Sequence, residues 1–167
     1  MIRPEEALSY YWDGLLRSYA RLGKIEVDKW YEKDFESELD LYLCFFIKCY
    51  HFKDWLVTTV AQNAKGMVEQ FVNDSSELSL CGDICNATKH FLLNDARRKR
   101  PKKLTSVLGY DGISLFREYD PSSKRRYRIR IGATDKRWNA LDLATACMEQ
   151  WLEFVDRHWN LRLPSLT

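Results

Sequence analysis

The chain has 167 residues, 46% of them hydrophobic and 14% aromatic, and a formal net charge of +2 at pH 7. This length and composition predict one domain over residues 1–167 that buries a core of its own, and they exclude a disordered polyelectrolyte. No apolar run reaches a bilayer span, because "LDLYLCFFIKCYHFKDWLVTTV" is broken by Lys48, His51, Lys53 and Asp54. The segment "MIRPEEALSYYWDG" lacks the apolar stretch of a secretory signal, and five cysteines at irregular spacings do not make a disulfide framework. A protein of a reducing, cytoplasmic compartment with no membrane partner is expected.

In chain order, the first predicted helix runs from about Pro4 to Leu22. Pro4 suits the first turn, Glu5 and Glu6 favour the positive helix end, and Gly23 gives a stop. Leu8, Tyr11, Leu15 and Leu22 mark its apolar stripe. A second helix is expected over about Asp34–Thr59, with Leu41, Cys44, Phe45, Cys49, Phe52 and Leu56 on one side. It is apolar over far more than one stripe and should be central. "AQNAKG" breaks it, and short helices follow over about Met67–Asn73 and residues 76–93.

Beyond the "ARRKRPKK" stretch the pattern changes. "ISLFREY" and "RRYRIRI" alternate on either side of the turn-rich "DPSSK", which predicts a two-stranded hairpin. A last helix is expected over about Asp135–Trp159, with Trp138, Leu141, Thr145, Met148, Leu152 and Val155 at helical spacing. The predicted fold is mainly α: an antiparallel helical bundle with an inserted two-stranded β-hairpin near the C-terminus. The basic linker and hairpin together occupy about 97–132.

Two polar islands interrupt the core segments. His51 and Asp54 are three residues apart and share a helix face, with Lys53 to one side. Asp83, Asn86 and His90 form a second ridge, with Lys89 beside it. If the two helices pack antiparallel, the ridges meet as a cluster of histidines, acids, an amide and a lysine. Histidine exchanges a proton near neutral pH, and a neighbouring carboxylate fixes its tautomer. Such a cluster suits metal-independent RNA cleavage, in which histidine assists attack of a 2′-hydroxyl on the adjacent phosphate. The same spacings also fit a hydrogen-bonded network buried in a bundle, and the residues alone leave both open.

The stretch "CNATKH" at 85–90, late in a helical bundle, resembles the signature of the HEPN superfamily, an Arg followed by a polar residue, often Asn, and then a His. Asn86 matches the polar position and His90 the histidine, whereas Cys85 stands where that family carries Arg. A thiol cannot supply the planar, permanently charged fork that grips a phosphate. The resemblance covers roughly residues 5–95. It implies an RNA-directed protein, with His90 and Asn86 as catalytic residues and His51 and Asp54 as a second acid–base pair. It also implies a homodimer whose two motifs converge, a toxin or anti-phage defence role, and an antitoxin or other protein partner. The alternative it carries is a catalytically inactive RNA-binding or interaction module.

Charge is distributed unevenly. Residues 1–94 carry a net −5 and residues 95–167 a net +7, with 14 basic and four acidic side chains between 97 and 137. "RRKRPKK" and "KRRYRIR" would suit phosphate contacts, so Arg126, Arg128 and Arg130 join Lys53 and Lys89 as candidate substrate-binding residues. A solvated charged segment is the plainer account of the same runs. No cofactor is expected: there is no Gly-rich phosphate loop, no nucleotide-fold fingerprint and no HExxH. Cys44, Cys49, Cys81 and Cys85 lack a CxxC pair and are expected as free core thiols rather than as a metal site with His90. The tryptophans near the polar islands, likewise, are expected in the core rather than as a stacking platform.

Overall fold

The computed structural model describes residues 3–27, 35–59, 62–94, 113–119, 127–133 and 136–159. Five helices dominate: α1 (Pro4–Val27), α2 (Phe35–Thr59), α3 (Lys65–Asp74), α4 (Ser76–Asn94) and α5 (Ala140–Trp159). Three strands, β1 (Ile113–Tyr119), β2 (Tyr127–Ala133) and β3 (Lys136–Asn139), form one antiparallel sheet in the order β1-β2-β3. The fold is mainly helical with a small antiparallel sheet near the C-terminus, as the change in sequence texture predicts.

The helix α2 contains neither Gly nor Pro over its 25 residues and touches α1, α3, α4 and α5. Its Leu39, Tyr42, Phe45, Phe46, Cys49, Phe52 and Leu56 are all buried, so the apolar surface wraps around it as the sequence implies. Phe52 is the hub. Its ring lies 5.2 Å from Trp12 of α1 and 5.2 Å from Trp151 of α5, and Trp151 in turn meets Phe71 of α3 at 5.5 Å. Each such aromatic pair adds about 0.5–1.5 kcal/mol beyond the area it buries.

Helices α1 and α2 are antiparallel: Tyr11 meets Phe52 and Trp55, while Tyr19, two turns later, meets Phe45. Tyr19 also hydrogen-bonds Thr145 of α5 at 2.7 Å. The α2–α4 contact runs the other way. Phe46 meets Cys81 and His51 meets Cys85, so the contacts advance in the same sense along both helices. The antiparallel arrangement in which the two polar ridges would meet is therefore not the one adopted. α3 intervenes between them and reverses the chain once more.

A close approach at one glycine makes this packing possible. A Cβ built on Gly82 would lie 2.6 Å from Cε2 of Tyr50, far inside contact distance. A single residue, Ser75, links α3 to α4; its Oγ accepts from the backbone N–H of Leu78 at 3.0 Å and donates to Gln150 Oε1 of α5. Gln150 Nε2 then donates to Glu77 Oε2 at 3.0 Å, closing a polar tie between α4 and α5.

Several boundaries differ from the sequence expectation. The first helix continues through Gly23 to Val27, because one glycine costs only about 1 kcal/mol in a helix interior. The last helix begins at Ala140, and Lys136–Asn139 pair instead with β2 as a third strand, with Trp138 opposite Ile131. Asn139 ends the strand and caps the helix: its Oδ1 accepts from the backbone N–H of Leu141 at 2.9 Å and of Asp142 at 3.2 Å. The buried face of α5 is Leu143, Ala144, Cys147, Met148, Trp151, Phe154 and Val155, rotated from the expected stripe, which leaves Leu141, Thr145 and Leu152 half-buried. On α2, Cys44 is exposed rather than packed. Ile113, Leu115 and Ile131 join the sheet to the helical core.

Three outcomes test this packing. Asn139→Ala should lower unfolding stability by about 1 kcal/mol in urea titration, with Asn139→Asp close to wild type. Gly82→Ala gains helix propensity but forces Tyr50 aside, and overpacking prevails with a loss of about 1–3 kcal/mol. Burial pushes the Glu77 carboxyl up, but hydrogen bonds led by Gln150 outweigh it and hold the group below its ordinary value. Its stabilisation is therefore complete above about pH 4.3 and lost as pH falls through the lower folded value. In thermal melts across that acid range, wild type should lose stability more steeply than Glu77→Gln.

Candidate functional site

The polar residues of α2 emerge where α1 and α4 leave its surface uncovered. His51 Nδ1 lies 2.8 Å from Asp54 Oδ2, one turn further along the helix. The side chains keep 32% and 56% of their accessibility, so the pair is wet and open to a ligand rather than sealed in the core. The other ring nitrogen, Nε2, faces Cys85 Sγ of α4 at 3.7 Å. Carboxylate, imidazole and thiol thus form one row from surface to core, with Cys85 itself buried.

Tyr11 of α1 closes the third side. Its hydroxyl donates to the Lys48 carbonyl at 2.9 Å, and its ring stacks on Trp55 at 4.9 Å. Burial, then the nearby Cys49, Asp54 and Cys85, push the phenol up to about 12, so Tyr11 remains a neutral donor at physiological pH. Trp55 is 41% exposed and Tyr10 74% exposed. Trp55 directly follows Asp54 and departs from the expectation that the tryptophans are core.

Lys53 does not serve as a loose phosphate-binding cation. Its Nζ lies 3.1 and 3.0 Å from the two carboxylate oxygens of Glu69 on α3 and 4.5 Å above the Tyr50 ring, with only 12% of the side chain exposed. Burial pulls this ammonium down, but Glu69 and Tyr50 outweigh that and raise it above its ordinary value. Lys53 ties α2 to α3.

On α4, Asn86 and Asp83 are both exposed. Cys85 of this helix contacts His51. The apolar stripe of α4, with Cys81, Ile84 and Cys85, is the face that packs inward, and it leaves Asp83 and Asn86 outside. Lys89 and His90 belong to α4, and Arg128 and Arg130 to β2, where their backbones stand opposite Phe116, Glu118 and Asn139. The side chains of Lys89, His90, Arg128 and Arg130, the whole of Arg126, and the basic 97–103 linker lie outside the described residues.

A second cluster lies deeper. The sulfurs of Cys49, Cys81 and Cys147 are all buried and lie within 4.8 Å of one another. Cys81 Sγ donates to the Phe46 carbonyl at 3.2 Å. The Trp151 indole N–H is buried without a formed hydrogen bond and sits beside the Cys49 sulfur. Burial opposes ionisation of Cys49, yet donation from Cys147 and Cys81 brings its thiol below the ordinary range, while its two neighbours are held above it.

Sequence inspection missed Tyr11, Cys85 and Cys147 as members of these clusters. Tyr11 reads as one apolar position of an amphipathic stripe and Cys85 as an absent Arg, and no spacing singles out Cys147. The only signal for Cys85 was its spacing of four from Cys81, which puts both on the same helix face. No protein-family model matches the chain, and neither the curated proteins nor the solved structures contain a match to it.

Proposed function

We propose that this chain is an RNA-directed, HEPN-like protein whose working groups centre on the His51–Asp54 pair at the α2–α4 contact. One observation carries the proposal: Asp54 orients a solvent-accessible imidazole against Cys85, the first residue of the "CNATKH" stretch. Trp55, exposed beside Asp54, offers a surface on which a base can stack.

With Nδ1–H donated to Asp54, His51 presents the lone pair of Nε2, now in weak contact with the Cys85 thiol. A substrate 2′-hydroxyl that displaces this contact gives its proton to Nε2 as its oxygen attacks the adjacent phosphorus. The bond to the 5′-oxygen breaks, and a general acid returns a proton to that leaving group. The products are a 2′,3′-cyclic phosphate and a 5′-hydroxyl end. His90 fills the acid role in this proposal and Asn86 orients the phosphate. Because Lys53 is committed to Glu69, the neutralising charge comes from Lys89 or from Arg126, Arg128 and Arg130. Convergence of two motifs in a homodimer, cytoplasmic action as a toxin or defence effector, and restraint by an antitoxin are the further expectations of the same proposal. The second reading, an inactive RNA-binding module, draws support from Cys85 in place of the expected Arg.

The test follows cleavage and retention of labelled single-stranded and structured RNA without added metal. Wild type should release cyclic-phosphate ends, and His51→Ala and His90→Ala should each slow release by about 100-fold or more. Asp54→Asn should fall between them and wild type. Retention without cleavage, lost when Arg126, Arg128 and Arg130 are neutralised, establishes the inactive binding module instead. Absence of both cleavage and retention overturns the RNA-directed function.

A further inference from the structure

The cluster of Cys49, Cys81 and Cys147 has no part in the chemistry above, and its composition is unusual for a core. Three sulfurs converge from three different helices, α2, α4 and α5, at the level where Phe52 and Trp151 cross. A buried thiol needs only apolar neighbours to be stable, and one is commonplace. Three with every sulfur within 4.8 Å of the others form a donor set. Trp151, four residues after Cys147, adds a buried N–H without a formed hydrogen bond beside the same sulfurs. An indole N–H cannot ligate a metal, but it can donate to a metal-bound thiolate and offset part of its charge.

We propose that Cys49, Cys81 and Cys147 form a buried three-sulfur site for a soft d10 cation, Zn2+ or Cu+. The geometry fits. Metal–sulfur bonds of about 2.3 Å place the sulfurs about 4.0 Å apart around a trigonal Cu+ and about 3.8 Å apart around a tetrahedral Zn2+, both inside the 4.8 Å that bounds the present separations. The donors fit as well, since thiolates select Zn2+ and Cu+ over the hard cations that prefer oxygen. Among the described residues, this is the only group of three or more His, Cys, Asp and Glu side chains close enough to share an ion. Each thiol that coordinates releases its proton, so binding weakens as pH falls. Because the ligands lie on α2, α4 and α5, the cation cross-links three helices and stabilises the folded chain over the unfolded one. The site is separate from the His51–Asp54 pair and does not depend on the RNA-directed function.

The experiment uses the full chain purified without oxygen, with a non-thiol reductant, and stripped of metal. Zn2+ and Cu+ are titrated in separate arms, and Cd2+ serves as the spectroscopic probe. The expected results are one cation per chain, an ultraviolet sulfur-to-cadmium charge-transfer band and a higher Tm. X-ray absorption of the wild-type complex should show three sulfurs at about 2.3 Å from Zn2+ or Cu+, a count that needs no substitution and so does not depend on a variant folding. Competition against a calibrated chelator in each arm distinguishes the two cations. Cys147→Ser and Cys81→Ser should abolish the band, Trp151→Phe should weaken binding about 10-fold or more, and Cys44→Ser should change nothing. Absence of stoichiometric binding in all arms overturns the site, as does a shell of nitrogen and oxygen without sulfur, or a band that survives in folded Cys147→Ser.

Discussion

The structure depends on the burial of α2. A helix that is apolar nearly all round has to be surrounded, and α1, α3, α4 and α5 supply the cover. Phe52 fixes the arrangement by contacting Trp12 on one neighbour and Trp151 on another. Every polar side chain on α2 must then either reach a gap in the cover or find a partner within it. His51 and Asp54 take the first course and pair at the surface. Lys53 takes the second, reaching Glu69 of α3 across the face of the Tyr50 ring.

The same constraint sorts the cysteines. Those on the inward faces of α2, α4 and α5 are driven together, since a thiol is small, weakly polar and tolerant of dry surroundings. Cys85, one turn beyond Cys81, lies at the margin of this region and meets an imidazole instead of other sulfurs. Two neighbouring turns of α4 thus present the same side chain to different surroundings, an imidazole–carboxylate pair outside and a cluster of buried sulfurs inside. Gly82 between them lets α4 settle against Tyr50, so both environments depend on the same close approach.

Residue spacing revealed part of the site. The His51–Asp54 contact is a local, three-residue relation on one helix face and was readable directly. Its encounter with Cys85 was not, because it depends on the relative direction of α2 and α4, which no periodicity encodes. Asp83 and Asn86 share a ridge as expected, yet α4 turns its apolar stripe inward and that ridge outside. Tyr11 reads as an apolar stripe position. Its ring does pack, while its hydroxyl reaches across to the Lys48 carbonyl on the next helix.

By itself, the sequence determined the helical segments, the centrality of α2, the alternating strands near the C-terminus and the His51–Asp54 pair. These follow from short-range physics: apolar period, helix-breaking residues and side chains one turn apart. Tertiary structure alone decided that β3 replaces the first turn of the last helix, since four residues are too few to assert a period of their own and Ile131 offers Trp138 a partner. It also decided which face of α5 is buried and that Cys147 joins Cys49 and Cys81. Those outcomes depend on how helices distant in sequence fill one space, and close packing, rather than spacing along the chain, sets them.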